Sequence, residues 1–366
     1  MAQAPRRVAD HLEQGLALLT VLGAQPELGE EKIERCRLLA DEDGRLRFIY
    51  NLPASAGFGA AIGRTVERAL FGKTRRSASV ITALLNVFMT LLDGLLDEAY
   101  ELIAPELAAL RALVRSGGRR RDAIFARPGR HPLAALCSST AELWLRKVDE
   151  LGRLWQAGCD GQFSARHGAN EPWACAAAGD GRRASAAFAF KEAALKALAA
   201  EFASRRARFD ETVAPGAAVL FGRTRWPHYC QALACVIAHR APSTTAAGLA
   251  ALRRFMFATA DYAALLDDVC DYLEDCEALR WNTVSCALQR QKRLPVVEPA
   301  AVQTALVLRL TEKETEKFVI AKGLRLLDAI ERAAAGLGVN PTEVFPLVAD
   351  LTYVYLGEST RARTAF

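Results

Sequence analysis

Two acidic clusters interrupt apolar helical runs far apart in the chain. The first is Asp93-Gly94-Leu95-Leu96-Asp97-Glu98, and the second is Asp267-Asp268-Val269-Cys270-Asp271-Tyr272-Leu273-Glu274-Asp275. An ionised carboxylate loses solvation on a buried helix face unless a cation pairs with it, so such interruptions call for a partner. At about 100° per residue, Asp93 and Asp97 project about 40° apart on one helix face. Asn86 and Thr90 lie on roughly the same side in the preceding turns. In the second cluster Asp267, Asp271, Glu274 and Asp275 share a face, with Asp268 on its flank and Asp261 two turns earlier. Hard oxygen donors at this spacing suit Mg²⁺, which is usually held by one or two carboxylates plus substrate phosphate oxygens and water. Two such clusters facing each other would cage divalent cations that hold a diphosphate and make it a better leaving group. The apolar residues around them would enclose a carbon skeleton. The aromatic faces of Phe88, Phe255, Phe257, Tyr262 or Tyr353 could stabilise a carbocation.

A single acidic pair at helical spacing is ordinarily a solvated helix face. Two of them, each ringed by apolar residues in one long helical chain, favour a site. Competing constellations are weak. Cys159, His167 and Cys175 fit no common zinc spacing. His228 and His239 read as helix-start and helical residues rather than catalytic ones. No GxSxG, P-loop, GxGxxG or HExxH pattern occurs, which disfavours serine hydrolases, nucleotide-dependent enzymes and zinc proteases.

The elements that must position these residues are helices. Apolar spacing at i, i+3, i+4 predicts them over 8–23, 59–71, 77–114, 133–157, 184–210, 227–240, 244–278, 300–308, 312–336 and 341–357. The nearest strand candidate is RLRFIY at 45–50. Breaks fall at Gly117-Gly118, Arg127-Pro128-Gly129, Pro215-Gly216, Pro242, Pro295 to Pro299 and Gly336 to Pro341. The least regular stretch is 157–184, which reads as a surface connection or a loop over a site. The expected fold is all-α: a single-domain helical bundle, with an N-terminal helical segment over 1–54 and the catalytic domain over 55–366.

Composition agrees. The hydrophobic fraction of 51% over 366 residues supports a sizeable core rather than disorder. A net charge of +5 is mild, and much of it sits in Arg115 to Arg130, read as a solvated inter-helix loop; no nucleic acid is expected as a partner. The 9 cysteines are odd in number and include no CxxC pair, which points to a reducing, cytoplasmic setting. The N-terminus lacks signal-peptide character. No window offers about 18 uninterrupted apolar residues, so no stable membrane insertion is expected. Peripheral membrane contact and a homodimer stay open.

The second cluster, with the residues that follow it, carries a resemblance. DDVCDYLEDCEALRWN resembles the second metal motif of the class I isoprenoid synthases. It is nearest to the bacterial large-terpene synthases (class IB, of the tetraprenyl-β-curcumene synthase type), whose motif reads approximately DYxxDxxED followed by an Asn. Asp267, Asp271, Glu274, Asp275 and Asn282 stand at matching places. That family's first motif reads approximately DYLDNLCDR; Asp93 and Asp97 match it, while its leading Asp is Thr90 here and its closing Arg is Glu98. The second cluster also overlaps the DDxxD of polyprenyl diphosphate synthases through Asp267, Asp268 and Asp271. The tail LTYVYLGES at 351–359 is similar to an aromatic–acidic segment of the family. The resemblance spans residues 55 to 360 in layout, and only the second motif is specific.

It implies a class I isoprenoid synthase bundle with three Mg²⁺ ions bound by Asp93, Asp97, Asp267, Asp268, Asp271, Glu274 and Asp275. It also implies ionisation of a linear prenyl diphosphate, then cyclisation or elimination of the carbocation. Arg223 and Arg225 lie about where class I terpene synthases place a diphosphate-sensing arginine. Arg64 and Arg68 before the first cluster, and Arg280 and Asn282 beside the second, are further candidates for the diphosphate, since arginine's planar fork suits its oxygens. Two alternatives remain. One is a prenyl diphosphate synthase of the same fold, which would need a second basic site. The other is a non-catalytic all-α binding protein, which the altered first motif favours.

Overall fold

The structure, a computed structural model, describes residues 52–116, 186–206, 227–239, 246–272 and 313–352. It also describes 137, 140–142, 144–148, 275, 282 and 284. The protein is all-α: helices dominate and no strand occurs among the described residues. The predicted helices at 8–23 and 300–308, the strand candidate at 45–50 and the irregular stretch at 157–184 lie outside them.

Helix α1 (Leu52–Phe71) begins earlier than the spacing predicts and runs through residue 55, where the catalytic domain is expected to start. It stops at Gly72, whose φ of 64° is left-handed and whose N–H bonds the Arg68 carbonyl at 2.9 Å. Helix α2 (Arg76–Ile103) is the longest apolar element. The spacing predicts one helix over 77–114, but the chain breaks into a 3-10 turn at Ala104–Glu106 before α3 (Leu107–Ser116). Pro105 is the reason: it has no N–H for the ladder, and its ring collides with the preceding turn.

Helices α4 (Ala186–Arg206), α5 (His228–Ala238) and α6 (Ala246–Cys270) follow. Then come α7 (Lys313–Gly336) and α8 (Pro341–Thr352). The α7–α8 turn uses Gly338 at φ 71° and then Asn340, whose side-chain oxygen accepts the Thr342 N–H at 3.1 Å. Pro341 takes the first helical position, where its missing N–H costs nothing.

Helix α5 is the hub. All its residues but Tyr229 are buried, as expected of a short helix apolar all round. It packs against α1, α2, α4 and α6. The α1–α2 pair is the most extensive packing, α6 lies along α7, and α8 touches α1, α6 and α7. One connected core joins Ile81, Leu84 and Phe88 of α2 to Phe190 of α4, Leu233 of α5 and Leu252 of α6. Trp144 completes it, its ring 5.6 Å from both Phe88 and Phe190.

Ser77–Leu96 is long and apolar enough to cross a membrane by composition. It is the central core helix of the bundle, packed by α1, α4 and α5. Cys137, Cys230 and Cys235 are buried and Cys270 is half-buried, and none of these four stands in a disulfide.

Candidate functional site

The second acidic cluster straddles the end of α6 at Cys270. Beyond Cys270 the ladder goes on: the Asp271 N–H bonds the Asp267 carbonyl at 2.9 Å, and the Asp275 N–H bonds the Asp271 carbonyl at 2.8 Å. Asp267, Asp271 and Asp275 therefore stand in successive turns on one face. Asp267 and Asp268 are half-buried, Asp271 is exposed, and Tyr272 is buried beneath them. Asp261 lies half-buried two turns earlier.

Asn282 is built into this cluster. It is 0% exposed, and its carboxamide donates to the Asp268 carbonyl at 2.6 Å and to Asp275 Oδ2 at 2.9 Å. Its own oxygen accepts the Val284 N–H at 2.9 Å. With both N–H groups used inside the cluster, Asn282 orients a carboxylate rather than offering a donor to a diphosphate. Glu274 and Arg280 lie outside the described residues.

On α2, Asp93 is half-buried while Leu91, Leu92, Leu95 and Leu96 on the adjoining faces are buried. Asp97 follows one turn later on the same helix, its side chain outside the described residues. The same face of α2 carries a ladder of hydrogen bonds that leads up to Asp93. Thr90 Oγ1 and Ser55 Oγ are 2.7 Å apart, and Asn86 donates to the Ser55 carbonyl at 2.9 Å. Gln231 of α5 donates to the Thr82 carbonyl at 3.3 Å and to Asn86 Oδ1 at 3.4 Å. The acidic helices α2 and α6 do not pack extensively on each other among the described residues; α5 lies against both.

The ladder fixes the direction of α1. Ser55 meets Thr90, whereas Glu67 accepts the Arg75 N–H at 3.0 Å, so α1 and α2 are antiparallel. Arg64 and Arg68 stand 64 − 55 = 9 and 68 − 55 = 13 residues down α1 from Ser55. At ~1.5 Å per residue that is about 13 and 20 Å, away from Asp93. The hairpin thus carries these arginines toward its other end from Asp93. Arg68 is exposed there and Arg64 half-buried. Burial, then Arg68, lowers the Arg64 guanidinium below its ordinary range, and Glu67 partly opposes this. Arg223 and Arg225 lie outside the described residues, shortly before the α5 start at His228.

At that far end a buried pair joins α1 to α5. Glu67, 0% exposed, contacts His239 Nε2 at 2.5 Å, and the His239 ring stacks on Phe71 with centroids 4.2 Å apart. His239 thus ends α5 and ties it to α1. His228 opens α5 fully buried, and burial lowers its pKa to about 4, so it is neutral near pH 7.

Of the aromatic candidates, Phe88 and Phe255 are buried in the core. Phe257 meets Tyr229 edge-on at 5.9 Å, and the Tyr262 hydroxyl is 2.7 Å from Thr352 Oγ1 at the end of α8. Tyr353 lies outside the described residues.

The sequence reading missed Ser55, Glu67 and Gln231. A signal was present: Ser55, Gly59, Gly63 and Glu67 recur every four residues, as do Gln231, Cys235 and His239. The Cys235 thiol faces the Gly63 carbonyl at 3.6 Å, so the two stripes meet.

Among the described residues no three Asp, Glu, His or Cys side chains gather as a ready-made metal cage. The chain matches no protein-family profile, no curated protein and no solved structure.

Proposed function

We propose that this protein is a Mg²⁺-dependent class I terpene synthase that ionises a linear prenyl diphosphate and cyclises or eliminates the resulting carbocation. The observation that carries the reading is the α6 stripe. Asp267, Asp271 and Asp275 are presented turn by turn, and a buried Asn282 orients the last of them. The stripe and its Asn are the parts of the sequence that resemble the class I terpene synthases most specifically.

The donor set fits Mg²⁺. Its groups are hard carboxylate oxygens, partly open to solvent, and such a site leaves coordination positions for water and substrate phosphate. Asp267, Asp268, Asp271, Glu274 and Asp275 would hold metal at and just beyond the end of α6, and Asp93 and Asp97 would do so from α2. Bound Mg²⁺ would neutralise the diphosphate and make it a better leaving group.

The protein's own residues do the rest. The Asp271 carboxylate is exposed and so open to a Mg²⁺ ion that arrives with the diphosphate. Asn282 holds Asp275 in one orientation. Arg223, Arg225 and Arg280, which lie outside the described residues, would receive the diphosphate. The carbon–oxygen bond breaks with its electron pair leaving on the diphosphate, and the carbocation closes a ring or loses a proton.

The test is incubation of the purified protein with Mg²⁺ and a panel of prenyl diphosphates from about C10 to about C35, with and without isopentenyl diphosphate. Diphosphate release and hydrocarbon products are both read. A cyclised or eliminated product from a single substrate is expected. Longer diphosphates formed only with isopentenyl diphosphate would replace this reading with chain elongation. No release from any substrate would leave a non-catalytic binding protein.

A further inference from the structure

The α2 stripe that ends in the acidic pair is Thr82, Asn86, Thr90, Asp93 and Asp97, spaced along one face of one helix. Its first three members are fixed by neighbours from two other helices. Ser55 of α1 is shared between Thr90 and Asn86, its Oγ lying 2.7 Å from Thr90 Oγ1 and 3.2 Å from Asn86 Nδ2. Gln231 of α5, 0% exposed, bridges Thr82 and Asn86.

These bonds require the helices to stand unusually close. A Cβ on Gly59 would lie 2.5 Å from the Thr82 carbonyl oxygen and 2.7 Å from Asn86 Cβ, and one on Gly63 would lie 2.4 Å from Thr82 Oγ1. The contacts exist at one register only. Sliding or rotating α2 against α1 and α5 would strand the Asn86 and Gln231 carboxamides in a dry seam, where an unmet polar group is costly.

We infer that the Ser55–Thr90–Asn86–Gln231 network is a positioning device for the first acidic helix, setting the height and rotation at which Asp93 and Asp97 meet the metal–diphosphate complex. The inference rests on the function proposed above. In it Thr90 is a positioning residue tied to α1 and is not a metal ligand. Metal binding then leans on α6, with α2 contributing two carboxylates whose placement depends on the anchor.

The experiment is calorimetric titration with Mg²⁺ and inorganic diphosphate, together with a thermal melt, on the wild type and on Ser55→Ala, Thr90→Val and the double variant. Both remove the Ser55–Thr90 hydrogen bond, Ser55→Ala also removes the bond from Asn86 to Ser55 Oγ, and the truncations are small enough to keep the fold. Each single variant is expected to weaken Mg²⁺–diphosphate binding on the order of tenfold, as loss of a supporting shell does. The double variant should bind no worse than Ser55→Ala alone, because Thr90→Val removes only a bond that Ser55→Ala has already removed. Thr90→Ser, which restores the hydroxyl, should bind like the wild type. Unchanged affinity in the single variants, with only the melt lowered, would show a merely structural contact and overturn the inference. So would a loss confined to Thr90→Val, which would make Thr90 a ligand in its own right. Failure of the wild type to bind Mg²⁺ and diphosphate at all would instead sink the proposed function itself.

Discussion

Asn282 shows how a single buried carboxamide can organise an acidic cluster. It meets a backbone carbonyl and a carboxylate with its two N–H groups and a backbone N–H with its oxygen, so no capacity is wasted in a dry environment. Asn282→Ala should lower turnover of the proposed reaction on the order of tenfold to a hundredfold while the helical circular dichroism spectrum holds. Steady-state kinetics with varied Mg²⁺ checks this, and an unchanged Mg²⁺ requirement would count against the orienting role. Asn282 was singled out only by the resemblance of the second cluster to a terpene-synthase motif, and its role was not legible, since sequence cannot say where a carboxamide spends its donors. The histidines were legible only in outline. His228 is buried at the start of α5 with its pKa lowered to about 4, and its effect on stability has a definite sign. Between the ordinary histidine value of about 6.5 and about 4 the unfolded chain binds the proton and the native one does not. Stability is therefore fully present above about pH 6.5 and is lost as pH falls toward about 4. The unfolding free energy of the wild type relative to His228→Gln should drop by about 2 kcal/mol between about pH 7.5 and about pH 5. Denaturant titrations at the two pH values measure it, and a constant difference would contradict the burial argument.

At the scale of elements, the helices were largely legible because period-3.6 apolar spacing is strong along this chain, and the start of α5 after Pro227 and the α7–α8 turn came directly from proline and glycine. The 77–114 stretch was misjudged as one helix because its apolar period continues through Pro105, and backbone chemistry overrides side-chain pattern there. The close approach of α1 to α2 was not legible either. Glycines inside a helix read as weak helix formers, and only the three-dimensional neighbours reveal that Gly59 has Thr82 and Asn86 against it. The nearest atom is a backbone oxygen, which cannot rotate away. Gly59→Ala should therefore destabilise the protein by about 1–3 kcal/mol, although alanine is the better helix former in isolation. Chemical denaturation gives the figure, and a gain in stability would mean that α1 and α2 are not packed as described. The same proximity lets Ser55 reach Thr90 and Asn86, so packing at one point sets the polar ladder at another.

For the whole molecule, the class of fold followed from composition and periodicity, but the assembly did not. The antiparallel sense of α1 and α2 separates Arg64 and Arg68 from Asp93, a consequence of connectivity that residue spacing alone cannot give. What the fold does provide is a buried hub, α5, against which both acidic helices pack. On this account neither acidic cluster suffices for full activity: the second supplies the larger share of the carboxylates, the first the smaller, and diphosphate release at the full rate needs both. The most direct test is Mg²⁺-dependent release of inorganic diphosphate from prenyl diphosphates by the wild type, Asp93→Asn and Asp271→Asn, with circular dichroism as a check on folding. The account predicts release by the wild type that is abolished by chelation, abolished in Asp271→Asn and reduced on the order of a hundredfold in Asp93→Asn, with helicity unchanged. Wild-type rates in both folded variants, or no release from the wild type, would contradict it.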